Sequence, residues 1–153
     1  EYEVIVMPTL EADDSMGIYA TKHPGNVIVS PDKDMKQIPG KLFNLDKSFT
    51  ITQEQGAKWH LEQSIAGDST DGYLGLPTYG VKRAQSLFHD KGYTWKTVVG
   101  AYKEMNLNEE DALVNARLAR ILTVDDYDFE RKQPILWSPS SDYRVNDGAR
   151  LKT

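Results

Sequence analysis

Seven carboxylates fall into three short clusters, and their chemistry is the first thing this sequence offers. Glu11-Ala12-Asp13-Asp14 places three acids in four residues. Asp32-Lys33-Asp34 follows Ser30-Pro31, and Asp68-Ser69-Thr70-Asp71 lies between Gly67 and Gly72. Like charges brought together repel, so a fold that gathers them must supply cations or protons. Oxygen-rich acidic sets suit hard divalent ions such as magnesium. Each cluster also has a plainer reading. Acids in a first helical turn complement the helix dipole, and Asp followed by Ser favours turns. For Glu11, Asp13 and Asp14 the plainer reading weakens, because Asp32 and Asp34 repeat the arrangement after the next strand-like run. Glu11 and Asp13 could both face a site, with Asp14 as a cap or a supporting group. For Asp68 and Asp71 spacing alone leaves both readings open.

A second stretch invites a phosphate. Gly75-Leu76-Pro77-Thr78-Tyr79-Gly80-Val81-Lys82-Arg83 is a tight turn feeding a helix, and such a turn presents free backbone N–H groups. It is not a P-loop, because Gly-Lys-Ser/Thr is absent. A plain loop with solvated bases is the alternative, evenly matched on sequence alone. His23, His60 and His89 are scattered without metal spacing and read as structural or surface groups. No Gly-x-Ser-x-Gly supports a serine hydrolase. Trp59, Trp95 and Trp137 read as core.

The elements that must hold these groups alternate. Residues 3–7 are a short β-branched run, expected as a buried strand. A helix carrying Met16 and Ala20 follows the first acids and ends at His23-Pro24-Gly25. Residues 26–30 form the next strand, with Asp32 and Asp34 just past its carboxyl end. Strand, carboxylates, helix, repeated, argues for a parallel α/β sheet, whose sites lie outside the carboxyl ends of the strands. Residues 41–43 and 48–52 are strand-like, with a turn at Asn44–Lys47. Thr52 and Gln55 match a capping box that opens a helix to about Ala66, with Ala57, Leu61 and Ile65 facing the core. Residues 67–80 are loop. Helices are expected at 81–89, at 94–105 capped by Thr94, and after the cap Asn108. In the last of these, Val114, Leu118, Ile121 and Leu122 would form the apolar stripe. Ile135-Leu136-Trp137 should dock back, and residues 138–153 read as a mobile tail.

Composition sets the outer bounds. The chain has 153 residues, enough for one domain or two small lobes, and no cysteine, which excludes disulfides and thiolate zinc sites. No apolar run approaches the roughly 20 residues of a membrane span, and the start lacks the basic region of a signal peptide. The net charge of −5 argues at first against nucleic acid, but the rest of the chain is +2 once the seven clustered acids are set aside. The opening residue is not Met, so the chain reads as the later part of a longer protein.

The three acidic motifs and the glycine turn, in this order over about residues 4–88, resemble the 5′-nuclease family of polymerase I-type 5′→3′ exonucleases, flap endonucleases and bacteriophage exonucleases. Residues 108–137 are similar to bacteriophage members. The resemblance implies a PIN-like α/β catalytic fold over residues 1–66, then a helix–hairpin–helix and helical subdomain over 67–137, then a tail over 138–153. It implies two magnesium or manganese ions, the first served by Glu11, Asp13 and Asp32, the second by Asp34, Asp68 and Asp71, with Asp32 near both and Asp14 matching the motif's last acid. Catalysis would rest on Asp13, Asp32 and Asp34. Gly75, Tyr79, Gly80, Lys82 and Arg83 map onto a hairpin that grips the duplex backbone, often with a potassium ion. The implied substrates are DNA 5′ ends, flaps, or RNA–DNA primers, in phage replication or recombination in the host cytoplasm. Two departures stand out. Thr78 occupies a position where the family's hairpin has glycine. The family's earlier aspartates and basic helical arch have no counterpart, so a preceding segment or a companion chain is expected to complete the sheet and the metal site. The alternatives are a non-catalytic duplex-binding module and an acidic metal-binding domain unrelated to nucleic acid.

Overall fold

A computed structural model describes residues 1–146. The chain alternates between two units, the first built from Glu1–Thr52 and Ile121–Ile135, the second from Gln53–Arg120 and the chain from Leu136 onward.

In the first unit, helix α1 (Ala12–Lys22) starts where Glu11 turns from extended backbone, and Asp13 and Asp14 lie in its first turn. It stops at His23, because a following proline disfavours helical backbone in the residue before it. Strands β1 (Val27–Val29), β2 (Gly40–Phe43) and β3 (Ser48–Ile51) form one sheet in that order. β1 and β2 run parallel with Ile28 opposite Leu42, while β2 and β3 run antiparallel with Leu42 opposite Phe49. The turn between β2 and β3 is closed by Asn44, whose Oδ1 accepts the amides of Asp46 at 3.1 Å and Lys47 at 2.8 Å. Only a 3-10 helix, Lys33–Gln37, links β1 to β2, where a full α-helix would fit the repeat read from sequence. Ile28, Met35, Ile38, Leu42 and Ile121 make the core, with Met16, Ala20 and Phe49 against it.

Residues 121–135 return to this unit as a strap. The Ile121 amide donates to Gln37 Oε1 at 2.7 Å, and the Val124 amide to Thr21 Oγ1 at 2.8 Å. Gly17 makes the approach possible: a Cβ there would stand 2.2 Å from the Leu122 carbonyl oxygen. The strap ends in a two-stranded ribbon, β4 (Tyr127–Asp128) against β5 (Gln133–Pro134).

The strand expected at residues 3–7 does not form. Val4 is 84% and Val6 78% exposed. A strand requires a neighbour to take up its backbone N–H and C=O groups, and no described residue pairs with this stretch.

The second unit is helical: α2 (Gln53–Ala66), α3 (Val81–Lys91), α4 (Trp95–Glu104) and α5 (Glu109–Ala119). Two of the expected caps, at α4 and α5, are in place. Thr94 accepts from the Thr97 amide, and Asn108 and Asp111 cap each other's backbone. Leu61, Ile65, Phe88, Val98 and Tyr102 are fully or almost fully buried in the core. Burying each such side chain contributes about 1.5–3 kcal/mol. The Tyr102 hydroxyl donates to the Ser64 carbonyl at 2.7 Å, so its polar end is satisfied inside the core.

Helix α5 corrects the sequence reading. Val114 and Leu118 are 46% and 58% exposed, and the helix ends before Ile121. Ala112, Ala116 and Ala119 face inward instead. The reason is close approach: buried His60 on α2 reaches the Ala116 carbonyl through Nε2 at 2.8 Å, which large side chains would prevent.

Of the run expected to dock, Ile135 and Leu136 remain exposed. Trp137 alone packs inward, edge-on to His60, Trp95 and Tyr143, and its carbonyl accepts from Arg117 Nε at 3.0 Å. The described part of the expected tail, residues 138–146, is held to this unit. Trp95 donates its amide to the Tyr143 carbonyl and Val145 donates to the Tyr93 carbonyl, both at 3.0 Å. Residues 147–153 lie outside the described part.

Candidate functional site

Within the first unit, β1 delivers two of the candidate acids. Ser30 extends the β1–β2 ladder by donating its amide to the Phe43 carbonyl at 3.0 Å. Its Oγ then accepts the Asp32 amide at 3.2 Å. Asp32 in turn caps the 3-10 helix, with Oδ1 accepting the Asp34 amide at 2.8 Å. The pair is thus fixed at the carboxyl end of β1, Asp32 exposed and Asp34 largely buried.

Glu11, Asp13 and Asp14 sit at the start of α1. Glu11 is exposed at the N-cap. Asp14 has a structural partner, because its Oδ1 accepts the Leu122 amide of the strap at 3.0 Å. Burial raises the Asp14 pKa above the usual carboxylate value; the Leu122 N–H opposes this, and the charges of Glu11 and Asp126 add to the rise. Asp14 therefore holds the strap as well as matching an acidic motif. Asp126 was not among the expected site residues. It closes a capping box with Thr123, a pattern readable as Thr-x-x-Asp in the sequence.

In the second unit, Asp68 and Asp71 lie in the loop between α2 and α3. Asp68 pairs with Tyr73 in a small β-bridge, and its carboxylate accepts the Thr70 amide at 2.9 Å and the Thr70 hydroxyl. The Asp71 amide donates to the Asp68 carbonyl at 3.2 Å.

The turn after this loop is built on glycine. Gly67 and Gly75 touch backbone to backbone, both with φ in the left-handed region (+70° and +61°). A Cβ on Gly75 would come within 2.4 Å of the Ile65 carbonyl oxygen and 2.5 Å of the Gly67 nitrogen. Asn115 on α5 holds the turn from outside, accepting the Gly75 amide at 3.0 Å. Asn115 was not among the residues expected at the turn. Thr78, where the resemblance implies glycine, has φ +64°, the left-handed region that favours glycine. Its hydroxyl accepts from Arg83 Nη1 at 2.6 Å, and the Arg83 guanidinium lies 4.1 Å from the centre of the Tyr79 ring. Tyr79 and Arg83 thus clasp each other at the turn. Gly80 caps α3 with extended backbone and no side-chain hydrogen bond, and Lys82 is exposed in the first turn.

These features define a mixed α/β protein with clustered carboxylates and a glycine-built turn between two helices. The chain is 30% identical to the exodeoxyribonuclease of Enterobacteria phage T3 over 92% of its length, and 30% identical to the exonuclease of Escherichia phage T7 over 91%. It spans 59% of the length of each. These matches support a phage 5′-exonuclease-like family for the chain. No family model matches it, and no solved structure does. No helix among the described residues is long and apolar enough to cross a membrane.

Proposed function

We propose that this chain is part of a metal-dependent 5′→3′ exonuclease or flap endonuclease that hydrolyses phosphodiester bonds of DNA or RNA–DNA primers. The observation that carries the reading is the fixed pair Asp32 and Asp34 at the end of β1, in a chain whose phage relatives are named exonucleases. The donors of the first unit fit a hard divalent ion. Glu11, Asp13, Asp32 and Asp34 offer only oxygen, and the chain contains no thiol. Asp32 presents one oxygen to the Asp34 amide, which orients the carboxylate and leaves its second oxygen to bind. These four residues would hold magnesium or manganese, with Asp68 and Asp71 carrying the same donor chemistry on the second unit. A bound ion would supply activated water and stabilise the leaving oxygen.

The segment from α2 through the glycine turn to α3 acts as the helix–hairpin–helix element, and the first unit as part of a PIN-like domain. The start of α3, without a side-chain cap, offers backbone N–H groups, and Lys82 adds an exposed charge. Such contacts position a duplex without reading its sequence. Arg83 and Tyr79 support the turn, so Lys82 is the principal side-chain contact.

The test is Asp32→Asn, assayed for release of nucleotides from 5′-labelled duplex and flap DNA with magnesium and with EDTA. Magnesium-dependent cleavage lost in the variant, with duplex binding retained, is expected. Equal loss of cleavage and binding, or cleavage that survives EDTA, would overturn the metal assignment. Binding without cleavage by the unsubstituted chain would favour the second reading, a duplex-binding module that the turn alone supports.

A further inference from the structure

The second unit contains a cavity of about 260 Å³ at the far end of α3 from the glycine turn, walled by the turn Gly92-Tyr93-Thr94 and by Arg144, Val145 and Asn146. Its charged lining is one-sided. Lys58, His89 and Arg144 face it, and among the described residues no Asp or Glu does, in a chain with 23 acids against 18 Lys and Arg.

Arg144 is the central group. Its backbone is pinned: it forms a β-bridge with Thr94, and the residues on either side bond to Trp95 and Tyr93 at 3.0 Å. No carboxylate among the described residues pairs with its guanidinium. His89 lies in the last turn of α3, where a base complements the helix dipole, but Arg144 is not on that helix and has no such explanation. Lys58 is held at 2.6 Å by Glu54, and its ammonium lies 5.0 Å from the centre of the Tyr93 ring.

The floor excludes a base and leaves an anion. Tyr93 stacks on Phe88, with centroids 4.6 Å apart and planes 10° apart, while Lys58 covers the ring as well. No face remains for a nucleobase. The Tyr93 hydroxyl is held at 2.6 Å by Glu62, itself 5% exposed, so the ring cannot swing away. A planar guanidinium on fixed backbone matches two oxygens of a tetrahedral anion at once. The rise of α3 separates cavity and glycine turn by about 16 Å, roughly half a turn of duplex.

We infer that this cavity holds a phosphate group, with Arg144 as its principal ligand and His89 and Lys58 as supporting charges. The expected source is a backbone phosphodiester of the duplex gripped at Lys82, which rests on the function proposed above. A free mononucleotide carries the same chemistry.

The experiment measures duplex affinity of the whole chain against potassium chloride for the unsubstituted protein, Arg144→Gln, Arg144→Lys and Lys82→Ala. A parallel titration with dAMP is followed by NMR. Arg144→Gln should lower duplex affinity several-fold at low salt and reduce the salt slope by about one. Arg144→Lys should restore most of the slope, which a merely structural role would not do. A slope unchanged in Arg144→Gln, with dAMP shifts near Tyr93 that the variant abolishes, would assign the cavity to a free phosphate. If Arg144→Gln alters neither titration while Lys82→Ala weakens duplex binding, this inference fails and the proposed function stands. If the unsubstituted chain binds neither duplex nor dAMP, both fail.

Discussion

Replacing Gly75 with alanine tests the construction of the turn most directly. The left-handed backbone at φ +61° costs alanine about 1–2 kcal/mol relative to glycine. The added Cβ also meets backbone atoms of Ile65, Ala66 and Gly67 between 2.4 and 2.7 Å away, none of which is a flexible side-chain end. The turn must therefore move off α2. That movement breaks the 2.8 Å bond from the Leu76 amide to the Ile65 carbonyl and the 3.0 Å bond from the Gly75 amide to Asn115. Each is worth about 1 kcal/mol. The sum is roughly 3–4 kcal/mol, a large share of the 5–15 kcal/mol typical of a whole domain. All three tryptophans, Trp59, Trp95 and Trp137, belong to the second unit, so tryptophan fluorescence in urea reports that unit alone. The midpoint should fall by roughly 2 M, given a slope of 1–3 kcal/mol per molar for small domains. Gly80→Ala is the matched control, since its φ is not positive and its Cβ would meet nothing within 4 Å. A Gly75→Ala midpoint within about 0.5 M of the unsubstituted protein would refute the argument.

Gly17→Ala should destabilise the first unit by about 3 kcal/mol, because its Cβ would displace the Leu122 carbonyl and loosen the strap; amide exchange at Leu122 and Val124 would rise, and unchanged protection would contradict the packing. Leu45→Gly should stabilise the same unit by about 1 kcal/mol, since Leu45 is exposed at φ +76° and loses no contact of value; a lower melting temperature by circular dichroism would count against it. Ala116→Leu should cost about 2 kcal/mol or more by forcing α5 away from His60, read in the tryptophan transition. A neutral result would mean that α5 can shift without loss.

What was legible in the sequence was local. Thr94 and Asn108 cap helices because a short polar side chain can reach the amide three residues on, and that needs no knowledge of the fold. The Asn44 turn follows the same logic. What depended on distant partners was not legible. Residues 3–7 have the composition of a strand, but pairing is decided by a neighbour. The stripe through Val114 and Leu118 satisfies helical periodicity, yet alanines take the inner face because α2 comes so close. Asp14 reads as an acid among acids until Leu122, more than a hundred positions later, takes its carboxylate. For the candidate site, the sequence placed Asp32 and Asp34 at a strand end and found the glycine turn. It missed that Arg83 and Tyr79 clasp each other and that Asn115 braces the turn.

The strap also imposes an order in time. Asp14, Gly17 and Thr21 leave the ribosome about a hundred residues before Leu122 and Val124, the groups they bind. At 5–20 residues per second, α1 waits roughly 5–20 s for its partners. Throughout that interval the helices of the second unit emerge and are free to pack, while one side of α1 stays uncovered. Helices α2–α5 can therefore pack before the strap emerges, but the segment from Leu136 that completes their unit arrives after it.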